Sequence, residues 1–280
     1  MVLKSINCRG KLIDLTIPKV MGILNLTPDS FYDGGKFKSE KHILLQIEKM
    51  LKEGATFIDI GAYSSRPGAE HINEDQELTR LISVLELILH KFPDILISID
   101  TFRSRVAEKS IDVGASMIND ISAGNLDDKM FQTIANLQVP YILMHMVGKP
   151  QNMETNTNYK DLIMDIIFYF SKKINKLRTL GINDLIIDVG FGFSKTMDQN
   201  YELLQNLNLF KTLELPILAG VSRKSMLYKY LKITPEEALN ATTVANTIAL
   251  QQGANILRVH DVKQAVEAIR ITNKLNHPSS

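Results

Sequence analysis

The sequence lacks the features that mark secreted, membrane-embedded or nucleic-acid-binding chains. A single cysteine, Cys8, among 280 residues excludes any internal disulfide. Apolar runs are short: a stretch such as Pro216 to Val221 is far below the roughly 20 residues that span a bilayer. The opening MVLKSINCRGK has no apolar signal-peptide core. An excess of charge of one sign is also missing. The 32 Lys and Arg residues offset 31 Asp and Glu for a formal net charge of +1, so the overall balance offers no footprint for nucleic acid or an anionic membrane. Any anion site must therefore be local. No phosphate-binding P-loop occurs, and the glycines of DVGFGFSK lack the spacing of a dinucleotide fingerprint. These absences predict a cytoplasmic enzyme, with no nucleic acid and no membrane as partner.

What is present is a regular alternation. Eight short β-type runs begin at Val20, Thr56, Ile95, Ser116, Tyr141, Leu185, Pro216 and Ile256, separated by segments with helical periodicity. In one of these, Leu78, Leu81, Ile82, Leu85, Ile88 and Leu89 form the one-sided stripe of a helix lying on a sheet. No linker-like stretch divides the units. Eight strand–helix units in a chain of this length predict an α/β fold, a (β/α)8 TIM barrel, as a single domain over residues 1–280. Before the first unit, LKSINCRGKLIDL places Arg9, Gly10 and Lys11 between two alternating runs, which predicts a short N-terminal β-hairpin closing the bottom of the barrel.

Buried parallel strands should read as nearly continuous apolar residues, yet polar residues gather where these runs end. Asn25, Asp59, Asp100, Asn119, Asp120, His145, Asp188, Ser222, Arg258, His260 and Asp261 all do so. In a barrel those ends share one face, where active sites of this architecture lie, so distant residues are expected to converge on one pocket. Each alone fits a helix cap equally well, and for Asp261, directly before the last helix, the cap is preferred. A carboxylate and an amide on neighbouring strands suit a flat heterocycle with an amidine-like edge: Asp100, Asn119 and Asp188 supply acceptors and a donor, and Lys224 a donor for a ring carbonyl. Arg258 can stack on a ring or bind phosphate oxygens, and with Asn25, Arg66 and His260 it forms an expected anion pocket. Taken alone, Arg258 and His260 fit ion pairs with helix carboxylates better.

Two loops add to this. TPDSFYDGGKF, from Thr27, is polar and Gly-rich yet carries three aromatics, a composition suited to a lid. YSSRPGAEHI, from Tyr63, sets an Arg beside Pro and Gly. Together they would bring Asp29, Phe31, Asp33, Ser65, Arg66 and Pro67 over the pocket. In GVSRKSM, from Gly220, Ser225 opens a helix whose positive end suits a carboxylate.

With these segments assembled, the chain resembles the dihydropteroate synthase family over nearly its whole length. The resemblance is carried by MGILNLTPDSFYDGG, SSRPGAE, SIDTFR, INDISAG, LMHMVGKP, DVGFGFSK, GVSRKSM and RVHDV, which occur in the family's order. It implies a transferase of folate biosynthesis that joins 6-hydroxymethyl-7,8-dihydropterin diphosphate to 4-aminobenzoate, and a sulfonamide target. By that resemblance Asp100, Asn119, Met144, Asp188, Lys224 and Arg258 would bind the pterin, and Asn25, Ser65, Arg66, Arg258 and His260 the diphosphate. Phe31, Pro67 and Ser225 would frame 4-aminobenzoate. Asp100, Lys224, Asp33 and Asp29 form the implied catalytic set, and Asn25 would contact Mg²⁺. A homodimer is implied as well, and apolar Leu239, Val244, Ile248 and Leu250 on a late helix are the expected surface for it.

Three positions depart from the family pattern. Val189 stands where Pro is usual, Ser194 where Gly is usual and Ser65 where Thr is usual. Val189 is expected to alter turn rigidity, Ser194 the backbone of its loop, and Ser65 the approach of 4-aminobenzoate and sulfonamides. Rival readings are a pterin-dependent methyltransferase domain, a non-catalytic pterin-binding barrel and a generic phosphate-binding barrel. The anion residues and the SRKS segment favour the synthase over the first. The carboxylate and amide strand ends would lack purpose in the last.

Overall fold

The computed structural model of the chain describes residues 5–26, 36–63, 72–150 and 153–276. Eight parallel strands close into a barrel: β3 (Lys19–Asn25), β4 (Phe57–Gly61), β5 (Leu96–Asp100), β6 (Met117–Asp120), β7 (Tyr141–Met144), β8 (Leu185–Asp188), β9 (Ile217–Ala219) and β10 (Ile256–Val259). Each pairs with its sequence neighbour, and β10 returns to β3, with Ile256 opposite Lys19 and Val259 opposite Gly22. All eight expected runs are strands of the barrel.

Helices follow the strands: α1 (Lys36–Lys52), α2 (Glu74–Lys91), α3 (Ser104–Val113), α4 (Met130–Leu137), α5 (Leu162–Thr179), α6 (Met197–Gln205), α7 (Ser225–Leu231), α8 (Leu239–Gln251) and α9 (Val262–Asn276). The stripe predicted for α2 is the one it buries: Leu81, Leu85 and Ile88 are inside, with Leu78, Ile82 and Leu89 packed against them. Its start is fixed by a capping box, in which Asn73 accepts from the Gln76 N–H and the Gln76 side chain accepts from the Asn73 N–H. On α8 the expectation of a free apolar face is corrected. Leu250 is buried in the molecule's own core and Ile248 packs against it, because the helix is seated on its neighbours on two sides; Val244 remains exposed.

Strand periodicity sorts the side chains into two layers. Outward residues such as Ile58, Ile97, Ile118 and Leu143 pack under the helices. Inward, each barrel strand gives one apolar residue to a lower ring: Met21, Phe57, Leu96, Met117, Ile142, Ile186, Leu218 and Ile256. The predicted hairpin, β1 (Ser5–Cys8) and β2 (Lys11–Asp14), seals this ring with Ile6, Cys8, Ile13 and Leu15. Its two-residue turn places Arg9 at φ 54° and Gly10 at φ 79°, the left-handed pair that matches strand twist. Burial pushes the Cys8 thiol up to about 12, so it stays protonated and acts as a small apolar plug.

Candidate active site

Two residues beyond the lower ring, on the same inward face of the same strands, the composition changes. Here stand Ile23, Asp59, Ser98, Asn119, Met144, Asp188, Gly220 and Arg258, and one pleat further Asn25, Asp100, Ser222 and His260. Most of these line a cavity of about 670 Å³ at the barrel mouth. Asp100, Asn119, Met144, Asp188, Lys224, Ser225, Arg258, Asn25 and His260 all border it, so the expected convergence of distant strand ends is realised. Ile121, Met144, Met153 and Phe193 give it an apolar wall, as a flat ring would need. Asp29, Phe31, Asp33, Ser65, Arg66 and Pro67 lie outside the described residues.

The same parity removes three residues from the list of strand ends. Asp120, one position past Asn119, turns outward: its carboxylate accepts from the Ser122 N–H and hydroxyl (both 2.7 Å), the Gly124 N–H (2.8 Å) and the Tyr141 hydroxyl (2.7 Å). His145, one past Met144, is buried against the ring of Tyr169. Asp261 accepts from Arg223 Nε at 3.0 Å and Nη2 at 2.7 Å, a forked pair that ties the loop after β9 to the start of α9. These three serve structure.

Charge is concentrated around Arg258. Its Nε donates to Asp59 Oδ2 at 2.6 Å and its Nη2 to Asp100 Oδ2 at 2.8 Å, while Asn119 Nδ2 also donates to Asp59 Oδ2 at 3.1 Å. The helix-carboxylate partners that Arg258 would take in isolation are therefore replaced by carboxylates of β4 and β5. Asp59 is wholly buried and stands below the cavity, where it fixes both an arginine and an amide that face the cavity. Burial pushes the Asp100 carboxyl up to about 7, against the pull of Arg258 and with a further push from Asp59. Burial also raises Asp188, opposed by the Gly190 N–H, which donates to its Oδ1 at 2.8 Å, and by Lys224, Arg258 and Lys195. Burial lowers the proton affinity of the Arg258 guanidinium, but Asp59 and Asp100 outweigh this and raise it above its ordinary value.

At the rim, Lys224 Nζ lies 4.4 Å over the Phe193 ring and Ser225 begins α7. Ser222 Oγ accepts from the His260 N–H at 3.2 Å and contacts His260 Nδ1 at 3.0 Å, which orients the imidazole. Asn25, the last residue of β3, is exposed beside them. Its one amide oxygen would suit a Mg²⁺ ion whose remaining ligands were waters and phosphate oxygens of a bound ligand, as is common for Mg²⁺. Among the described residues no group of three or more His, Cys, Asp or Glu could hold a metal by itself.

The sequence profile of the pterin binding enzyme family matches residues 21–260 of this chain. The chain belongs to that family. The dihydropteroate synthase of Haemophilus influenzae is 42% identical over 264 residues, 94% of this chain and 95% of that one. That of Escherichia coli is 42% identical over 265 residues, 94% of this chain and 93% of its own. Among solved structures, the Yersinia pestis dihydropteroate synthase with a sulfonamide drug superposes with a TM-score of 0.90 at 41% identity, covering 97% of this chain and 99% of that one. The Xanthomonas albilineans enzyme with 4-aminobenzoic acid gives 0.90 at 34% identity, with 98% of each chain covered.

Two of the three departures, Val189 and Ser194, lie among the described residues of this pterin binding enzyme. Val189 is fully buried and packs between the sheet and the helices, so it fills volume where a rigid turn residue is usual. Ser194 adopts φ 52°, a conformation that favours glycine, and its hydroxyl accepts from the Val147 N–H at 3.0 Å and donates to the Val147 carbonyl at 2.8 Å. These bonds cross-link the loops after β7 and β8. Ser65 lies outside the described residues. Sequence reasoning finds Asp59 only as a polar strand end, and it passes over Lys195, although a charged residue in the apolar segment DVGFGFSK is itself a signal.

Proposed function

We propose that the chain is a dihydropteroate synthase, joining 6-hydroxymethyl-7,8-dihydropterin diphosphate to 4-aminobenzoate with release of 7,8-dihydropteroate and diphosphate. The observation that carries this reading is the set Asp100, Asn119, Asp188 and Lys224 around one cavity. Carboxylates and an amide there can accept from the ring's amino and N–H groups while Lys224 donates to its carbonyl. Family membership and relatives that bear this name support it. Met144 would line the ring slot, and Arg258, with two donors committed to Asp59 and Asp100, is better placed to lie along the ring than to grip phosphate.

The reaction substitutes at the methylene beside the ring: its C–O bond to diphosphate breaks and a C–N bond to the arylamine forms, with loss of the amine's proton. Cationic character at that carbon would be stabilised by Asp100, fixed in place by Arg258 before the substrate arrives. Asn25, Ser65, Arg66 and His260 would receive the diphosphate. Phe31, Pro67 and Ser225 would frame 4-aminobenzoate, whose carboxylate approaches the start of α7, and sulfonamides would compete there. Asp29 and Asp33 complete the proposed catalytic set. When bound at Asn25, Mg²⁺ would neutralise charge on the leaving diphosphate.

A cytoplasmic homodimer is part of the proposal. No helix among the described residues is long and apolar enough to cross a membrane. Val244 on α8 and Ile271 and Leu275 on α9 are exposed on helices that pack against one another, which supports a shared surface there. The deciding experiment incubates the protein with Mg²⁺ and both substrates and follows 7,8-dihydropteroate and diphosphate. Equimolar products are expected; pterin binding without product would replace the synthase by a non-catalytic pterin-binding barrel.

A further inference from the structure

Behind the wall of the cavity lies a lysine that the reaction does not use. Lys195 is buried, and its Nζ donates to the Phe193 carbonyl at 2.8 Å and the Gly190 carbonyl at 3.0 Å, and lies 3.1 Å from His145 Nδ1. Burial and the neighbouring ammonium press the His145 imidazole down to about 2, so the ring is neutral and its Nδ1 accepts from Lys195. One side chain thus joins three points: the start of the loop after β8, Phe193 of that loop, which lines the cavity, and His145 directly after the end of β7.

The loop has no slack at either end of this clamp. Gly190 holds φ 73°, and a Cβ there would stand 2.1 Å from the His145 carbonyl oxygen, so the backbones of the two loops touch. Ser194 adds its own hydrogen bonds to Val147, and the Tyr159 hydroxyl donates to the Ser194 carbonyl at 2.8 Å. Between these ties sit Phe191 and Phe193, which line the cavity, and the Gly190 N–H, which donates to Asp188.

We propose that Lys195 is a positioning residue of the pterin site: its ammonium clamps the loop after β8 against β7 and so sets the orientation of Asp188 and Phe193 toward the bound ring. This rests on the reading of the cavity as a pterin site. Asp188 is the group on which the clamp acts twice. Lys195 holds the carbonyl of Gly190, whose N–H grips the carboxylate, and it adds a positive charge that draws the Asp188 proton affinity down. Burial presses the Lys195 ammonium down to about 7, against the pull of Asp188, so the cation is present below neutral pH. The charged or titratable groups facing this pair are His145 after β7, Lys224 after β9, Arg258 on β10, and Tyr159 and Tyr169 beyond the imidazole.

The test compares the wild-type chain with Lys195→Met and His145→Phe, measuring KM for each substrate, kcat, and calorimetric affinity for the pterin diphosphate across the acid and neutral range. Lys195→Met should weaken pterin binding at least about tenfold while the KM for 4-aminobenzoate stays within about twofold. The acid limb of pterin affinity should also move to higher pH, because Asp188 loses a cation; the share of that limb due to Asp100 is common to both proteins. His145→Phe, which removes one acceptor and keeps the charge, should weaken pterin binding by a smaller factor and leave the limb in place. It also carries the test should Lys195→Met not fold. Unchanged pterin affinity, or equal loss for both substrates with an unmoved acid limb, overturns the clamp. If the wild-type chain binds the pterin but makes no product, the synthase reading fails, and the calorimetric comparison still decides on Lys195.

Discussion

The lower and upper rings of the barrel are built by the same strands and differ by a single pleat. Met21, Phe57, Leu96, Met117, Ile142, Ile186, Leu218 and Ile256 face one another and the hairpin as an apolar plug. Two residues on, Asp59, Asn119, Asp188 and Arg258 face one another as a buried charge network. The lower ring stabilises the fold by removing apolar surface from water. The upper ring works against it, since desolvating a charge costs several kcal/mol unless partners offset that. Two carboxylates share Arg258, and Asp188 depends on a backbone N–H and more distant cations. Stability and recognition are thereby separated by about 7 Å of strand, the rise of two residues.

That division can be broken from either side. The largest effect is expected from Phe57→Ala in the lower ring: a loss of about 3–5 kcal/mol from the transfer and cavity contributions, read by urea unfolding. Whatever remains folded should bind pterin with near wild-type affinity. A pterin affinity that falls along with stability would show that the rings are not separable.

Asp100→Asn attacks the upper ring. Turnover should fall about 10²–10³-fold, the usual cost of removing one preorganised electrostatic group, with a smaller loss of pterin affinity. Equal losses in kcat and affinity would argue against charge stabilisation by Asp100. Its carboxyl stands at about 7 in the folded chain against an ordinary value of 3.8, so the native state binds the extra proton in the window between them. Stability should therefore rise as pH falls through about 7 and level off below about 4, while kcat/KM falls over the upper part of that window. Thermal unfolding across pH should show the slope in the wild type and a flatter profile in Asp100→Asn.

The smallest of the three effects sharpens the rim. Lys224→Ala should weaken the pterin complex about 10- to 100-fold through loss of a charged donor, with little change in unfolding, because Lys224 is only half-buried. Unchanged affinity by calorimetry would remove Lys224 from the ring site.

Much of this architecture is legible in the sequence. Period-two alternation and polar strand ends place Asp100, Asn119, Asp188 and Arg258 on one face, and the Arg9–Gly10 turn places the hairpin. Parity within the strands is also enough to turn Asp120 and His145 outward, since each directly follows an inward residue. Contacts across the closed circle are not legible in this way. Asp59 and Arg258 are 199 residues apart and meet only because β10 returns to β3. Lys195 depends on a loop that doubles back through Gly190 and Ser194, and the burial of Leu250 on how α8 seats against its neighbours.

The place of Arg258 near the end of the chain bears on assembly. During synthesis Asp59 and Asp100 emerge long before the cation that neutralises them, so a partial barrel ending ahead of β10 carries two facing carboxylates without that partner. β10 both closes the circle, joining residues as far apart in sequence as Lys19 and Ile256, and brings the cation that offsets that repulsion. Closure of the scaffold and completion of the charge network thus depend on the same strand.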